Sequence, residues 1–163
     1  MYRFVYADKT NLSEILPICY DILYSNMSKI APTGNTYDED FSAWYSCVYP
    51  AMQMNPRQII LMYHENTIVG YFQYYVNNQV LMMEEIQILA EHHRTGLFRS
   101  FYIWFLEQQK TGIQLVEAYA HKRNLKSQGI LSHLGLAVCG ENKNGNSYHY
   151  KGLYTDLVKV FLS

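Results

Sequence analysis

A short segment that could bind a phosphate lies at 93–99, where the sequence reads HRTGLFR. The spacing of apolar residues becomes helical from Gly96 onward. The start of a helix leaves backbone N–H groups unpaired and carries a partial positive charge, so a turn containing glycine can hold a phosphate there. Arg94, Thr95 and Arg99 add donors and positive charge. The segment predicts a site for a phosphorylated ligand. The alternative is an ordinary strand-to-helix turn with two solvated arginines.

The charge around this segment favours a small phosphorylated molecule over a nucleic acid. Residues 92–126 contain six Lys and Arg against two Glu, a balance of +4, whereas the whole chain has a net charge of −1. A nucleic-acid backbone usually requires a larger positive excess on its partner. We therefore expect no nucleic-acid partner.

The cysteines and histidines predict no metal site. Cys19, Cys47 and Cys139 are widely spaced, and the pair His92-His93 has no third ligand at a useful distance along the chain. Free cysteines fit a reduced compartment. The sequence has neither the apolar run of a signal peptide nor about 18 consecutive apolar residues, so we expect no membrane association and a cytoplasmic protein.

The pattern of apolar residues predicts an α/β protein. With 163 residues, 49% of them hydrophobic, the chain is long enough for a single domain over 1–163. Strands are predicted at 2–6, 58–64, 68–76, 80–89, 113–120, 136–139 and 147–153, with Glu65-Asn66 and Asn77-Asn78 as hairpin turns. Helices are predicted at 12–23, 37–52, 96–109 and 124–134. This order indicates helices packed on a mixed sheet.

The order of elements, with a glycine turn between a hydrophobic strand and a helix, resembles the GNAT superfamily of acetyl-CoA-dependent N-acetyltransferases. In that family the strand ends in a loop of pattern Gln/Arg-x-x-Gly-x-Gly/Ala. Here His93 takes the first position, Gly96 matches, and Phe98 stands where a small residue is usual. The family's second pattern is Asn-x-x-Ala-x-x-hydrophobic-Tyr-x-x-hydrophobic-Gly-Phe. The run NLKSQGILSHLGL at 124–136 is similar to it, with Leu131 where tyrosine is common.

This resemblance implies the GNAT fold, a mixed and mostly antiparallel sheet of about seven strands flanked by about four helices. It also implies that acetyl-CoA binds as the acyl-donor cosubstrate. The backbone of 86–88 would pair with the pantetheine arm, the loop would hold the pyrophosphate, and Asn124 would lie near pantetheine or simply cap its helix. The bulky Phe98 side chain would point away from the ligand. The implied cofactor-binding residues are Ile86, Gln87, Ile88, His93, Arg94, Thr95, Gly96, Leu97, Phe98, Arg99, Asn124 and Ser127.

Acetylation of an amine requires a group that accepts a proton, directly or through water. Glu84 is the first candidate, because on a regular strand it shares a face with Ile86 and Ile88, and many family members have a carboxylate on this strand. Glu85, on the opposite face, is the second. The alternative is that both glutamates are simply exposed at the start of a strand.

The proton donor for the departing thiolate is not evident, since Leu131 cannot donate a proton. Tyr119, His121 and His133 lie in the same segment and could substitute, or the thiolate could take its proton from water. Cys139 has no His and acid partners evident in the sequence, which disfavours an acyl-cysteine route.

Two functions remain from the sequence. The first is acetyl transfer by direct attack of a primary amine, belonging to a small molecule or a protein, on acetyl-CoA. The second is a catalytically weak module of the same fold that binds CoA or another protein. Transfer of a longer acyl group is a third option. Asp38, Glu39 and Asp40 fit a cationic acceptor or a solvated helix start equally well. The sequence leaves the choice between monomer and homodimer open.

Overall fold

The computed structural model describes residues 1–54, 56–109 and 111–163. Seven strands and five α-helices make up this part of the chain. In chain order they are β1 Tyr2–Tyr6, α1 Leu12–Met27, α2 Tyr37–Gln53, β2 Gln58–His64, β3 Thr67–Asn77, β4 Val80–Ile88, α3 Leu97–Gln108, β5 Leu115–His121, α4 Leu125–His133, β6 Ala137–Glu141, β7 Ser147–Leu153 and α5 Tyr154–Leu162. Single 3-10 turns occupy Lys9–Asn11 and Ala90–His92. No described helix is both long and apolar enough to cross a membrane.

The strands form one sheet in the order β1-β2-β3-β4-β5-β7-β6. Strands β4 and β5 pair in parallel, whereas the pairs β1 with β2, β5 with β7 and β6 with β7 are antiparallel. The predicted mixed, mostly antiparallel sheet of seven strands is confirmed. The predicted set of four helices lacks α5, although Tyr154, Leu157 and Phe161 have helical spacing.

The fold divides into two compact units within strands β3 and β4. Unit 1 consists of Met1–Gln73 and Glu85–Thr95, and unit 2 of Tyr74–Glu84 and Gly96–Ser163. A single domain over 1–163 stays a prediction.

The core of unit 1 is formed by α1, α2 and one face of the sheet. Leu12, Leu16, Cys19 and Ile22 recur every three or four residues along α1, and all are buried. A capping box fixes the start of α2: the Glu39 amide donates to Thr36 Oγ1 and the Thr36 amide donates to Glu39 Oε1, both at 3.2 Å.

The core of unit 2 is built on β5, α3 and α5. Val116, Ala118 and Ala120 of β5 are buried, whereas the residues that alternate with them are not, which is the pattern of a strand with one covered face. From α5, the Phe161 ring stacks on Tyr102 of α3 with 4.8 Å between ring centroids. These contacts hold α3, whose first turn contains the predicted phosphate site.

The turn between β3 and β4 consists of Asn78 and Gln79, whose φ angles are 49° and 65°. Two successive positive φ values are the geometry of a type I′ hairpin turn. The prediction of Asn77-Asn78 is therefore wrong by one residue, because Asn77 is the last residue of β3. The other predicted turn, at Glu65-Asn66, does connect β2 to β3.

Candidate functional site

The start of α3 has the backbone geometry that the phosphate prediction requires. Gly96 precedes the helix with φ 84° and ψ 0°, a left-handed conformation that favours glycine. No described side chain caps this helix, and its first backbone bond runs from the Ser100 amide to the Gly96 carbonyl. A Cβ atom added at Gly96 would meet no described atom within 4 Å. The first turn therefore presents backbone donors at the positive end of a helix, beside open space.

The side chains that follow Gly96 are held within unit 2. Leu97 is fully buried, so only its backbone could bind a ligand. The Phe98 ring packs 4.8 Å from the Tyr102 ring, as expected for a side chain directed away from the loop. Arg99 Nη1 donates to the Val160 carbonyl at 3.4 Å. Val160 lies in the last turn of α5, so the Arg99 guanidinium lies at the negative end of that helix. Arg99 therefore interacts with α5 and not solely with the loop.

The residues before Gly96 are ordered by hydrogen bonds within unit 1. Thr95 Oγ1 donates to the His92 carbonyl at 2.7 Å and accepts from the Tyr2 hydroxyl at 2.9 Å. His93 Nε2 lies 2.8 Å from the Ile88 carbonyl oxygen. Arg94 is exposed and has a positive φ of 62°. Of the predicted loop side chains, that of Arg94 extends into solvent, while those of His93 and Thr95 stabilise the loop.

The predicted pantetheine strand, 86–88, is anchored to α1. Asn26 Nδ2 donates to Gln87 Oε1 and to the Ile88 carbonyl, both at 2.9 Å. The Ile88 carbonyl thus contacts two side chains, Asn26 and His93. Sequence reasoning missed Asn26 and Tyr2, because each acts on residues far away in the chain and no local pattern marks them.

Glu85, the second candidate base, belongs to this hydrogen-bonded group. Gln87 Nε2 donates to Glu85 Oε1 at 2.6 Å. The nearby Tyr71 hydroxyl is buried without a hydrogen-bond partner among the described residues. Burial raises the pKa of the Tyr71 phenol well above its ordinary value, and the Glu85 charge acts in the same direction. Glu85 is therefore part of a partly buried polar group of unit 1.

Glu84, the first candidate base, lies where the parallel strands of unit 2 stop pairing. The ladder between β4 and β5 runs from the pair Val80 and Leu115 to the pair Met83 and Ala118. Both strands continue past it, β4 to Ile88 and β5 to His121. The next residue on each strand is Glu84 and Tyr119, and both line an open pocket of about 230 Å³ together with Tyr75 and Met82.

Glu84 and Met82, two residues apart on β4, line this pocket together with Tyr75. Residues two apart on a strand share a face of the sheet. That Glu84 also shares a face with Ile86 and Ile88 stays a prediction.

Tyr119 is held by its neighbours on β7 and β5. Its ring stacks on the His149 ring, with 4.6 Å between centroids and 11° between planes. His149 Nε2 lies 2.6 Å from Glu117 Oε1, and both side chains are mostly buried. Tyr119 itself is 44% exposed and is one of the residues that line the pocket.

The second family-like run forms helix α4 as predicted. Asn124 Oδ1 accepts from the Ser127 amide at 3.1 Å, so Asn124 is the N-cap, the alternative role that the sequence left open. Leu131, where relatives have tyrosine, is buried. Of the alternative proton donors, His121 Nδ1 accepts from the Arg123 amide at 3.1 Å and His133 is exposed in the last turn of α4. Of these residues, Tyr119 lines the pocket.

No group of three or more His, Cys, Asp or Glu side chains in the described ranges could hold a metal ion. The three cysteines are all free thiols, Cys19 buried and Cys47 and Cys139 exposed.

No family model and no curated protein sequence matches the chain. Solved structures do match its fold. An acetyltransferase from Thermus thermophilus superposes with a TM-score of 0.70 at 13% identity, over 94% of this chain and 97% of that one. PaiA N-acetyltransferase from Thermoplasma acidophilum, in complex with coenzyme A, gives 0.71 at 11% identity over 94% and 99%. The ribosomal-protein-S18-alanine N-acetyltransferase of Escherichia coli gives 0.61 at 14% identity over 94% of each chain. The chain therefore has the fold of the GNAT acetyltransferases, as its resemblance in sequence implied.

Proposed function

We propose that this protein is an N-acetyltransferase that moves the acetyl group of acetyl-CoA to a primary amine. The observation that carries the proposal is the end of the β4–β5 ladder. Two parallel strands stop pairing there, and a carboxylate, Glu84, lines the pocket at that point. Strands that separate in this way expose backbone donors and acceptors to an extended ligand, while the carboxylate supplies a base beside it.

The residues at the start of α3 fit the phosphates of the acyl donor. Gly96 has open space where a side chain would be, and no described side chain caps the first turn. Backbone amides can therefore approach an anion closely at the positive end of the helix. Exposed Arg94 adds charge. Leu97, Phe98 and Arg99 would contribute through their backbone, since their side chains are engaged elsewhere.

The remaining predicted cofactor residues have two roles in this proposal. Ile86, Gln87 and Ile88 would offer main-chain groups to pantetheine, apart from the Ile88 carbonyl, which contacts Asn26 and His93. His93, Thr95, Asn124 and Ser127 would act mainly by fixing the loop and the start of α4, because each has a hydrogen bond of that kind.

In the proposed reaction the amine nitrogen attacks the thioester carbonyl carbon. The C–N bond forms, the C–S bond breaks, and the nitrogen loses a proton. Glu84 accepts that proton, directly or through one water. Glu85 remains the second candidate; its carboxylate accepts from Gln87 in a partly buried group, and the pocket is lined by Glu84.

The acceptor is assigned only as a primary amine. The three acids at the start of α2 do not make a dedicated cation site: Glu39 is part of the capping box, and Asp40 accepts from Thr33 Oγ1 at 2.6 Å. These contacts support the alternative that the three acids belong to a capped helix start. The E. coli structural neighbour acetylates a protein amine, so the acceptors tested should include peptides with a free N-terminus beside polyamines and lysine.

A turnover assay over such a panel, read beside calorimetric binding of CoA, tests the proposal. Binding with turnover supports the enzyme. Binding without turnover on any acceptor contradicts the enzyme and supports a CoA-binding module. Two observations favour that module: Leu131 is buried at the position where relatives have tyrosine, and Arg99 contacts the end of α5. Absence of CoA binding contradicts both.

A further inference from the structure

Resting on the proposed function, we infer that Tyr119 is the proton donor to the departing thiolate, and that His149, held by Glu117, positions its ring. No residue of the family pattern supplies this proton, since Leu131 stands at the usual tyrosine position and is buried. Tyr119, on β5, is a phenol that lines the pocket together with Glu84, the proposed base.

The place of Tyr119 in the sheet supports the assignment. Ala118 is the last residue of β5 that pairs with β4, and Tyr119 is the next. On β4 the last paired residue is Met83, and Glu84 is the next. The proposed base and the proposed acid therefore occupy equivalent positions on two neighbouring parallel strands, and both line the same pocket.

The contacts of Tyr119 hold its ring against the ring of His149. Tyr119 and His149 are directly opposite on β5 and β7, so their side chains lie on one face of the sheet. Their rings are nearly parallel, at 11°, a geometry in which the phenol hydroxyl does not point at the imidazole. His149 in turn bonds Glu117 at 2.6 Å. The phenol ring thus packs on the imidazole ring, and the hydrogen bond to Glu117 orients the imidazole.

The proton balance of the step is simple. When the C–S bond breaks, the electron pair goes to sulfur, and the Tyr119 O–H gives its proton to that sulfur. The amine proton is on Glu84. The phenolate recovers a proton from Glu84, directly or through a water that gives one proton to the phenolate and takes one from Glu84. The net products are the amide and the CoA thiol, with both side chains restored.

The first experiment compares Tyr119→Phe with wild type in single-turnover acetyl transfer, using acetyl-CoA and the best amine of the panel. We expect the rate to fall by at least about tenfold and up to about 10², at the low end of general-acid effects because a thiolate leaves readily. CoA affinity should stay within about twofold, since the phenol is not part of the phosphate site. Tyr148→Phe is the matched control, because Tyr148 precedes His149 on β7 and its ring lies under Lys122 Nζ at 5.2 Å.

The pH profile gives a second readout. If Tyr119 donates the proton, the dependence of the single-turnover rate on pH should differ between wild type and Tyr119→Phe, because only wild type has the donor. The ionisable groups around Tyr119 are Glu84, Tyr75, Glu117 and His149, and all four remain in the variant. Profiles of the same shape in both proteins would contradict the role of Tyr119.

The positioning role of His149 is tested by two substitutions. His149→Phe keeps a ring to stack on Tyr119, whereas His149→Ala removes it. We expect the alanine variant to lower kcat by about tenfold with little change in KM, and the phenylalanine variant to retain most of kcat. Equal losses in both would overturn the stacking argument.

The results distinguish failure of the Tyr119 assignment from failure of the proposed acetyltransferase function. If wild type turns over and Tyr119→Phe is as fast, Tyr119 is not the donor and the proposed function stands. If wild type shows no turnover on any amine, both are wrong.

Discussion

Glu84 and Tyr119 are the first residues beyond the last pair of the β4–β5 ladder, Met83 with Ala118. A carboxylate and a phenol thus lie on adjacent parallel strands at the point where the strands cease to exchange hydrogen bonds. Both line one pocket of about 230 Å³. The sheet therefore brings a carboxylate and a phenol to one pocket at the end of the β4–β5 ladder.

Replacement of Glu84 by glutamine should abolish most of the activity without affecting cofactor binding. The amide keeps the size and hydrogen bonding of the side chain and removes its basicity. We expect turnover to fall by about 10² to 10⁴, the usual contribution of a general base. Glu107→Gln is the control, because Glu107 is an exposed acid of α3. Full activity of Glu84→Gln between about pH 6 and 9 would assign proton removal to Glu85, a histidine or water.

Replacement of Gly96 by valine should weaken CoA binding more than tenfold, which corresponds to about 1.4 kcal/mol or more. The φ of 84° is strongly unfavourable for a β-branched residue, and its side chain would fill the space beside the first turn of α3. Calorimetry with CoA gives the measurement. Gly112→Val is the matched control: Gly112 also has a positive φ, 108°, and open space around it, but follows α3 instead of preceding it. Equal affinities for the two variants would contradict the loop assignment.

The strands and most helices could be predicted because their signals are local. Alternation along β5 and helical spacing along α1 reflect which face each element buries, and both are visible within ten residues. Helix α5 carries the same signal in Tyr154, Leu157 and Phe161. The prediction of four helices omits it by ending the fold at the last strand, not for any lack of pattern.

The details of the site depend on contacts between distant residues, which no local pattern encodes. Tyr2 bonds Thr95 across 93 positions of sequence, and Asn26 bonds Gln87 across 61. For Asn124 the sequence does not decide between ligand and N-cap, since the same side chain suits both roles.

The three cysteines should differ sharply in reactivity. Burial raises the pKa of the Cys19 thiol from 9.0 to about 12, whereas Cys47 and Cys139 are exposed. Because the thiolate is the reactive form, alkylation at about pH 8 should label Cys47 and Cys139 and leave Cys19 unmodified until the protein unfolds. Mass spectrometry of the labelled peptides reports this directly.

The raised pKa of the Cys19 thiol also predicts how the free energy of unfolding depends on pH. The folded state holds the Cys19 proton more tightly than the unfolded state, so this contribution to the free energy of unfolding is complete below pH 9 and declines as the pH rises from 9 toward 12. Cys19→Ala should show a smaller decline over that range in denaturant titrations. Labelling of Cys19 in the native protein at the rate of Cys47 would contradict its burial.

The two arginines of the loop should contribute unequally to CoA affinity. Arg94 is exposed at the loop, whereas Arg99 donates to the Val160 carbonyl at the end of α5. Exposed charges are screened beyond about 8 to 10 Å at moderate salt, so affinity should decrease as salt rises from about 0.05 to 0.5 M. Arg94→Gln should flatten this salt dependence, and Arg94→Lys, which keeps the charge, should preserve it. Arg99→Gln should change the slope less than Arg94→Gln. Binding that is independent of salt in wild type would mean that neither arginine acts on the ligand, and the phosphates would then be held by the backbone of α3 alone.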